Sequence, residues 1–160
     1  MINKMIDVLQ EMVKIHQAFN RLALVKTEAL KTGDIKTLGQ TIHQEEPLTQ
    51  RLSQLETERQ KLITENYGDG QEAVQLSEVI ATVPDELKPV LQGLQEELAR
   101  EVLSLKQRNE LNQQLIKQSL DWVQLNINLL DPGARSTTYS RPNATAPQPN
   151  RVRSSFDSKA

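Results

Sequence analysis

Apolar side chains recur at intervals of three and four along most of this chain, and that spacing decides what it can fold into. Ile2, Met5, Ile6, Leu9, Met12, Val13, His16, Phe19 and Leu22 begin the pattern, and Val25, Ala29 and Leu30 continue it. The spacing lays one apolar face along a helix over residues 2–31. Thr32-Gly33-Asp34 then ends that helix and starts another. Glycine suits the left-handed residue after a helix, and aspartate suits an N-cap. So short a connection folds the next helix back antiparallel.

A second helix is expected over residues 34–66, with Leu38, Ile42, Glu45, Leu48, Leu52, Leu55, Arg59, Leu62 and Ile63 on its stripe. This is near-heptad with charged interruptions. Pro47 lies inside it and removes a backbone hydrogen bond, at a cost of about 3 kcal/mol unless the helix bends. A kink or break is therefore expected near Glu46. Asn66-Tyr67-Gly68-Asp69-Gly70 is a stop. A short helix follows over residues 71–82, using Ala73, Leu76, Ile80 and Val83. Pro84 and Pro89 bracket the start of a last helix running to Leu130, since proline is tolerated in a first turn.

Only 37% of the residues are hydrophobic and 3% aromatic, against a typical apolar share, glycine included, of roughly 45–50%. So thin a core favours long helices side by side over a compact globule. The expected fold is all-α: an elongated antiparallel bundle of three long or medium helices plus one short helix, with a disordered C-terminal tail. A helical domain would occupy residues 1–130. From Asp131 the composition turns to Pro, Ser, Thr and Asn, so residues 131–160 read as a flexible tail. The tail has five basic residues against Asp131 and Asp157, about +3, leaving about −5 of the net −2 for the helical body.

Charge and composition exclude several function classes. A net charge of −2 gives no basic face for nucleic acid. No apolar run approaches the roughly 20 residues of a membrane span, and the mixed N-terminus MINKMIDVLQEM is no signal peptide. With no cysteine, the chain has no disulfide or thiolate chemistry and fits a reducing cytoplasm. No catalytic constellation is found, and neither a cofactor nor a metal is expected. The two histidines, His16 and His43, fall on different helices, and no Glu-x-x-His pattern of a di-iron bundle occurs. His43 beside Glu45 and Glu46 reads as a solvated polar face rather than a metal site, and His16 as a packing residue.

The last helix carries two apolar faces. On a wheel of about 100° per residue, one stripe runs through Leu87, Leu91, Leu94, Leu98, Val102, Leu105, Ile116, Leu120, Val123, Ile127 and Leu130. This is the natural core face, and Asn109 and Asn112 interrupt it. A second stripe begins only at residue 111: Leu111, Leu115, Trp122, Leu125 and Leu129. It can be covered by the first or second helix, form a self-association seam, or stay open as a groove for a partner helix, with Trp122 as anchor. Burying five such side chains yields about 1.5–3 kcal/mol each, comparable to the cost of association. The face alone suits weak or moderate binding.

Three stretches in this order resemble the FlgN-type flagellar export chaperones. They are the long first helix closed by Thr32-Gly33-Asp34, the segment EEPLTQRLSQLETERQKL at residues 45–62, and LKQRNELNQQLIKQSLDWVQLNINLL at residues 105–130. The likeness covers about residues 1–130, with Ser-Phe-Asp-Ser-Lys-Ala at the end of the tail adding to it. The resemblance implies a small cytoplasmic helical chaperone, not an enzyme. Such a chaperone binds the terminal amphipathic helices of hook–filament junction proteins, prevents their premature assembly and delivers them to the flagellar type III export gate. Substrate would lie on the C-terminal helical region, which here carries Leu111, Leu115, Trp122, Leu125 and Leu129, by helix-in-groove recognition. A tyrosine near the C-terminus would dock to the gate, and Tyr139 is the matching residue. The competing reading is a structural coiled-coil adaptor that self-associates through the same face.

Overall fold

The structure is a computed structural model that describes residues 1–68 and 75–130. Its helices are α1 (Ile2–Thr32), α2 (Ile35–Tyr67), α3 (Leu76–Thr82) and α4 (Lys88–Leu130). No strand occurs among the described residues. The chain divides into two units, Met1–Leu120 and Asp121–Ala160. Of the second, the described part is the last ten residues of α4. The expected domain boundary at 130/131 and the expected disordered tail lie at and beyond the end of the described residues.

The helix ends follow the local chemistry. Gly33 is left-handed at φ 70°, and its N–H donates to Ala29 O. Asp34 N–H donates to the same carbonyl at 2.9 Å. The Asp34 carboxylate then caps α2, accepting Thr37 N–H at 3.0 Å and Thr37 Oγ1–H at 2.7 Å. The Thr37 backbone N–H holds the Asp34 carboxyl below the usual aspartate range. α2 ends at Gly68, again with positive φ. α3 starts at Leu76, where Gln75 and Glu78 form a reciprocal capping box. The expected earlier start at residue 71 falls outside the described residues.

Within Met1–Leu120, α1 is the central helix. It buries Met5, Val8, Leu9, Met12, Val13, Ile15, Phe19, Ala23 and Ala29. Leu55, Leu62 and Ile63 of α2, Val79 and Ile80 of α3, Val83 and Leu91 close over it. α2 lies antiparallel to α1 and is tied to it by two ion pairs. Arg51 grips Glu11 with Nε and a terminal nitrogen at 2.6 and 2.7 Å. Lys26 meets both oxygens of Glu45 at 2.7 Å. The charged interruption at Glu45 is thus a cross-helix contact, while Arg59 is held by Glu56 one turn before it.

Pro47 does not break α2, which runs as one helix through it. A proline removes one backbone bond and crowds one carbonyl, whereas the helix around it is held at several points. Glu45 precedes it with its ion pair, and Leu48 and Leu52 follow it, packed against the core.

Candidate functional site

Leu91, Leu94, Leu98 and Leu105 of α4 pack against the core, and beside them a row of hydrogen bonds joins α4 to α1. Gln17 Nε2 donates to Glu97 Oε1 at 3.2 Å. Asn20 Nδ2 donates to Glu101 O at 3.0 Å and to its Oε2 at 2.7 Å. Asn112 Nδ2 donates to Ala23 O at 3.1 Å, and Thr27 Oγ1 donates to Asn112 Oδ1 at 2.6 Å. The paired numbers rise together, so α4 runs parallel to α1. Leu91 and Asn112 are the two residues of α4 that are fully buried. Asn112, which interrupts the core stripe, has its amide satisfied on both ends and fixes the register.

That register explains where the core stripe stops being covered. Beyond Thr27, α1 has five more residues to its end at Thr32. Beyond Asn112, α4 has eight more residues within this unit. Leu120 therefore lies past the last turn of α1, and it is 64% exposed. Ile116, one turn earlier, is exposed as well. The stripe through Ile116, Leu120, Val123, Ile127 and Leu130 was expected to be core; all five are exposed. Within Met1–Leu120 the physical reason is length: α1 ends too soon to cover Leu120.

Of the second stripe, two residues lie in Met1–Leu120: Leu111 is exposed and Leu115 half-buried. The other three lie in the ten described residues of the second unit. There Trp122, Leu125 and Leu129 are 67%, 57% and 71% exposed. Asn126 Nδ2 donates to Trp122 O at 2.8 Å, and Gln124 Nε2 to Asn128 Oδ1 at 3.0 Å. These hydrogen bonds stay within the helix, so the exposed leucines and tryptophan are bordered by amides that already have partners. Tyr139, the remaining candidate, lies outside the described residues.

A groove of about 410 Å³ also opens where α2 and α4 flank α1, over Phe19, Leu52, Leu105 and Ile116. The Lys26–Glu45 pair lies on its wall. Lys26 and Glu45 are engaged with each other, and the Thr49 hydroxyl donates to the Glu45 backbone oxygen at 3.0 Å. His16 is buried, and its Nδ1–H donates to Met12 O at 2.8 Å, a bond inside its own helix. His43 and Glu46 are 3.8 Å apart with side chains 88% and 67% exposed, and Glu45 turns away to Lys26. Among the described residues no three His, Cys, Asp or Glu side chains converge, and no helix is long and apolar enough to cross a membrane.

What the arrangement can do is bind. It presents contiguous apolar side chains on a preformed helix, with almost no charge beside them. Sequence reasoning found the second stripe. It missed that the first stripe is also open at its end, although the unequal helix lengths, 31 residues for α1 against 43 for α4, carry that signal.

Residues 1–147 match the FlgN protein family. The chain is also 30% identical over 156 residues to the uncharacterized protein YvyG of Bacillus subtilis (strain 168), covering 97% of this chain and 96% of that protein. No solved structure matches the chain.

Proposed function

This chain belongs to the FlgN family and is a flagellar export chaperone, and we propose that it works by holding the terminal amphipathic helices of hook–filament junction proteins along the end of α4. The observation that carries this reading is the exposure of Trp122, Leu125 and Leu129 on a formed helix. Leu111 and Leu115 extend the same stripe N-terminally. A monomer seldom leaves so many large apolar side chains in water unless something covers them in use. The partner helix lays its own apolar stripe against them, which hides the surface that would drive its premature assembly. The family is non-enzymatic, and the residues here are suited to shape recognition rather than chemistry.

Delivery is the second half of the reading. Tyr139 follows the helix within nine residues of Leu130 and would meet the export gate while α4 holds the cargo. The complex forms in the cytoplasm, before export. Calorimetric titration with the terminal helical segment of a junction protein, with Trp122 fluorescence followed in parallel, tests the first half. Saturable one-to-one binding with a fluorescence shift is expected. Replacing Leu115, Trp122 and Leu125 together by polar residues should abolish binding and leave helicity unchanged. Wild-type affinity in that variant would sink the placement of the site. Tyr139→Ala should weaken gate docking at unchanged cargo affinity, and equal gate binding would remove Tyr139 from the account.

The same exposed faces also favour a second reading, a structural adaptor that self-associates through α4. Light scattering of the chain alone separates the two, since the adaptor would form stable oligomers without any partner.

A further inference from the structure

We propose that the end of α4 is gripped from both sides, by two amphipathic helices of one partner chain whose apolar stripes are bordered by uncharged amides and hydroxyls. This rests on the reading above, that a flagellar partner is held here, and adds how many helices it brings and what flanks them.

Residues 121–130 carry apolar side chains in two directions. Trp122, Leu125 and Leu129 form one set. Val123, Ile127 and Leu130 form another, centred roughly 140° away on a wheel of 100° per residue. The second set is as open as the first, at 47%, 44% and 87% exposure. A helix packed at an axial distance of about 8–10 Å covers one side of its neighbour. One partner helix therefore leaves three large side chains in water.

Area argues the same way. Aliphatic side chains offer roughly 60–120 Å² of apolar surface and tryptophan about 200 Å². Scaled by these exposures, and with Leu111, Ile116 and Leu120 counted on the preceding turns, one side and its matching partner surface bury about 500 Å². Both sides bury about 1,000 Å², where specific interfaces begin. A single side is of the size of a crystal contact. A second copy of this chain does not solve the problem. An isologous pair matches one side to itself and leaves the other open.

The borders select the partner's chemistry. Among residues 111–130 the charges are Lys117 and Asp121, one of each sign; the other polar residues are amides and the Ser119 hydroxyl. A partner helix flanked by lysine or glutamate would lose hydration against those amides without gaining a counter-ion. Amides and hydroxyls lose little. Two helices on opposite sides of α4 stand about 16–20 Å apart, so at least about six extended residues must join them.

The chain has no cysteine, so Leu125→Cys and Ile127→Cys report the two sides separately. Each full-length variant is labelled with a maleimide, alone and with a purified hook–filament junction protein from the same bacterium. Labelling of both is expected to slow about tenfold or more in the complex. Val123→Ser with Ile127→Ser should weaken binding about tenfold or more, as loss of two half-exposed contacts implies. Affinity should change less than about twofold between 0.1 and 1 M salt, since no charge pairs are screened. If Leu125→Cys is protected and Ile127→Cys labels freely, the two-sided grip is wrong and the chaperone reading stands. If both label freely in a formed complex, the cargo lies elsewhere and the grip falls with the site. A steep salt dependence would overturn the uncharged border. If wild-type protein forms no complex with junction proteins, the parent reading fails and takes the grip with it.

Discussion

Asn112→Ala tests whether the polar latch between α1 and α4 stabilises the fold. Asn112 is 3% exposed, and truncation removes its bond to Ala23 O and the acceptor for Thr27 Oγ1. Each such bond contributes about 0.5–1.5 kcal/mol net. No donor is orphaned, because the single Thr27 hydroxyl hydrogen turns from Asn112 Oδ1 to Ala23 O, 2.9 Å away. One hydrogen bond is lost net, together with the packing of a buried side chain, so the expected loss is about 1–2 kcal/mol, a sizeable part of the ~5–15 kcal/mol of a typical domain. With a urea m-value of about 1–3 kcal/mol/M, the midpoint falls by on the order of 1 M. Urea unfolding followed by circular dichroism reads this directly. A cycle with Thr27→Ala should give a coupling of about 0.5–1.5 kcal/mol. Asn112→Leu separates hydrogen bonding from shape. It restores the apolar stripe, leaves Thr27 and Ala23 satisfied by each other, and should stay close to wild type. A wild-type midpoint for Asn112→Ala, or simple additivity with Thr27→Ala, would refute the latch.

Other perturbations separate the buried from the presented parts. Leu55→Ala, at a side chain 1% exposed, should cost about 2–5 kcal/mol, while Leu125→Ala should stay within about 0.5 kcal/mol; equal losses in thermal melts would mean that α4's end is packed after all. Pro47→Ala restores a backbone donor inside α2 and should raise stability by about 1–2 kcal/mol once unfolded-state entropy is subtracted, and an unchanged melting temperature would show that the helix loses nothing at Pro47. Acid should destabilise the fold gently. The Arg51 fork lowers the Glu11 pKa, the Arg59 fork that of Glu56, and the Thr37 N–H that of Asp34. The unfolded chain then binds more protons, so their contribution is complete above the ordinary Glu value of 4.5 and is lost as pH falls through the lower folded values. All three are solvent-facing, so the slope is small, and Arg51→Ala should reduce it; a melting temperature that rises on acidification would contradict the sign.

The helices were legible because their determinants are local. Thr32-Gly33-Asp34 needs a left-handed residue and a cap, and those residue types supply them wherever the helix packs. Pro47 was read as a kink or a break, and the break is absent because the effect of a proline is not local. A broken bond inside a helix is tolerated when ion pairs and apolar contacts hold both flanks, and those partners, Lys26 and the α1 core, are distant in sequence. The second stripe of α4 was legible as a pattern, yet its openness depends on which helix stands beside it. Leu120 repeats the core spacing of Leu98 and Leu105 and differs in lying past the end of α1. Asn112 is the reverse case. Read alone it is a polar fault in an apolar stripe, and only Thr27 and Ala23, 85 and 89 residues away, make it a fixed point.

The contrast between the two seams of α1 bears on how cargo is held and let go. The seam with α2 joins apolar packing to the Glu11–Arg51 and Lys26–Glu45 ion pairs. The seam with α4 adds to its leucine packing the hydrogen bonds of Asn20, Thr27 and Asn112, which fix direction and register because buried hydrogen bonds are demanding in geometry. α4 is thereby presented as a helix before cargo arrives, so the chaperone loses little conformational entropy on binding. On the proposed reading the ordering cost falls on the cargo, whose terminal segments would become helical against α4. Such coupled folding lowers affinity for a given area. One side of α4 would then give contacts too weak to retain a subunit, and the proposed two-sided grip would retain it without making release slow. An export chaperone needs that intermediate strength, and the second open stripe is what brings a thin-cored helical chain up to it.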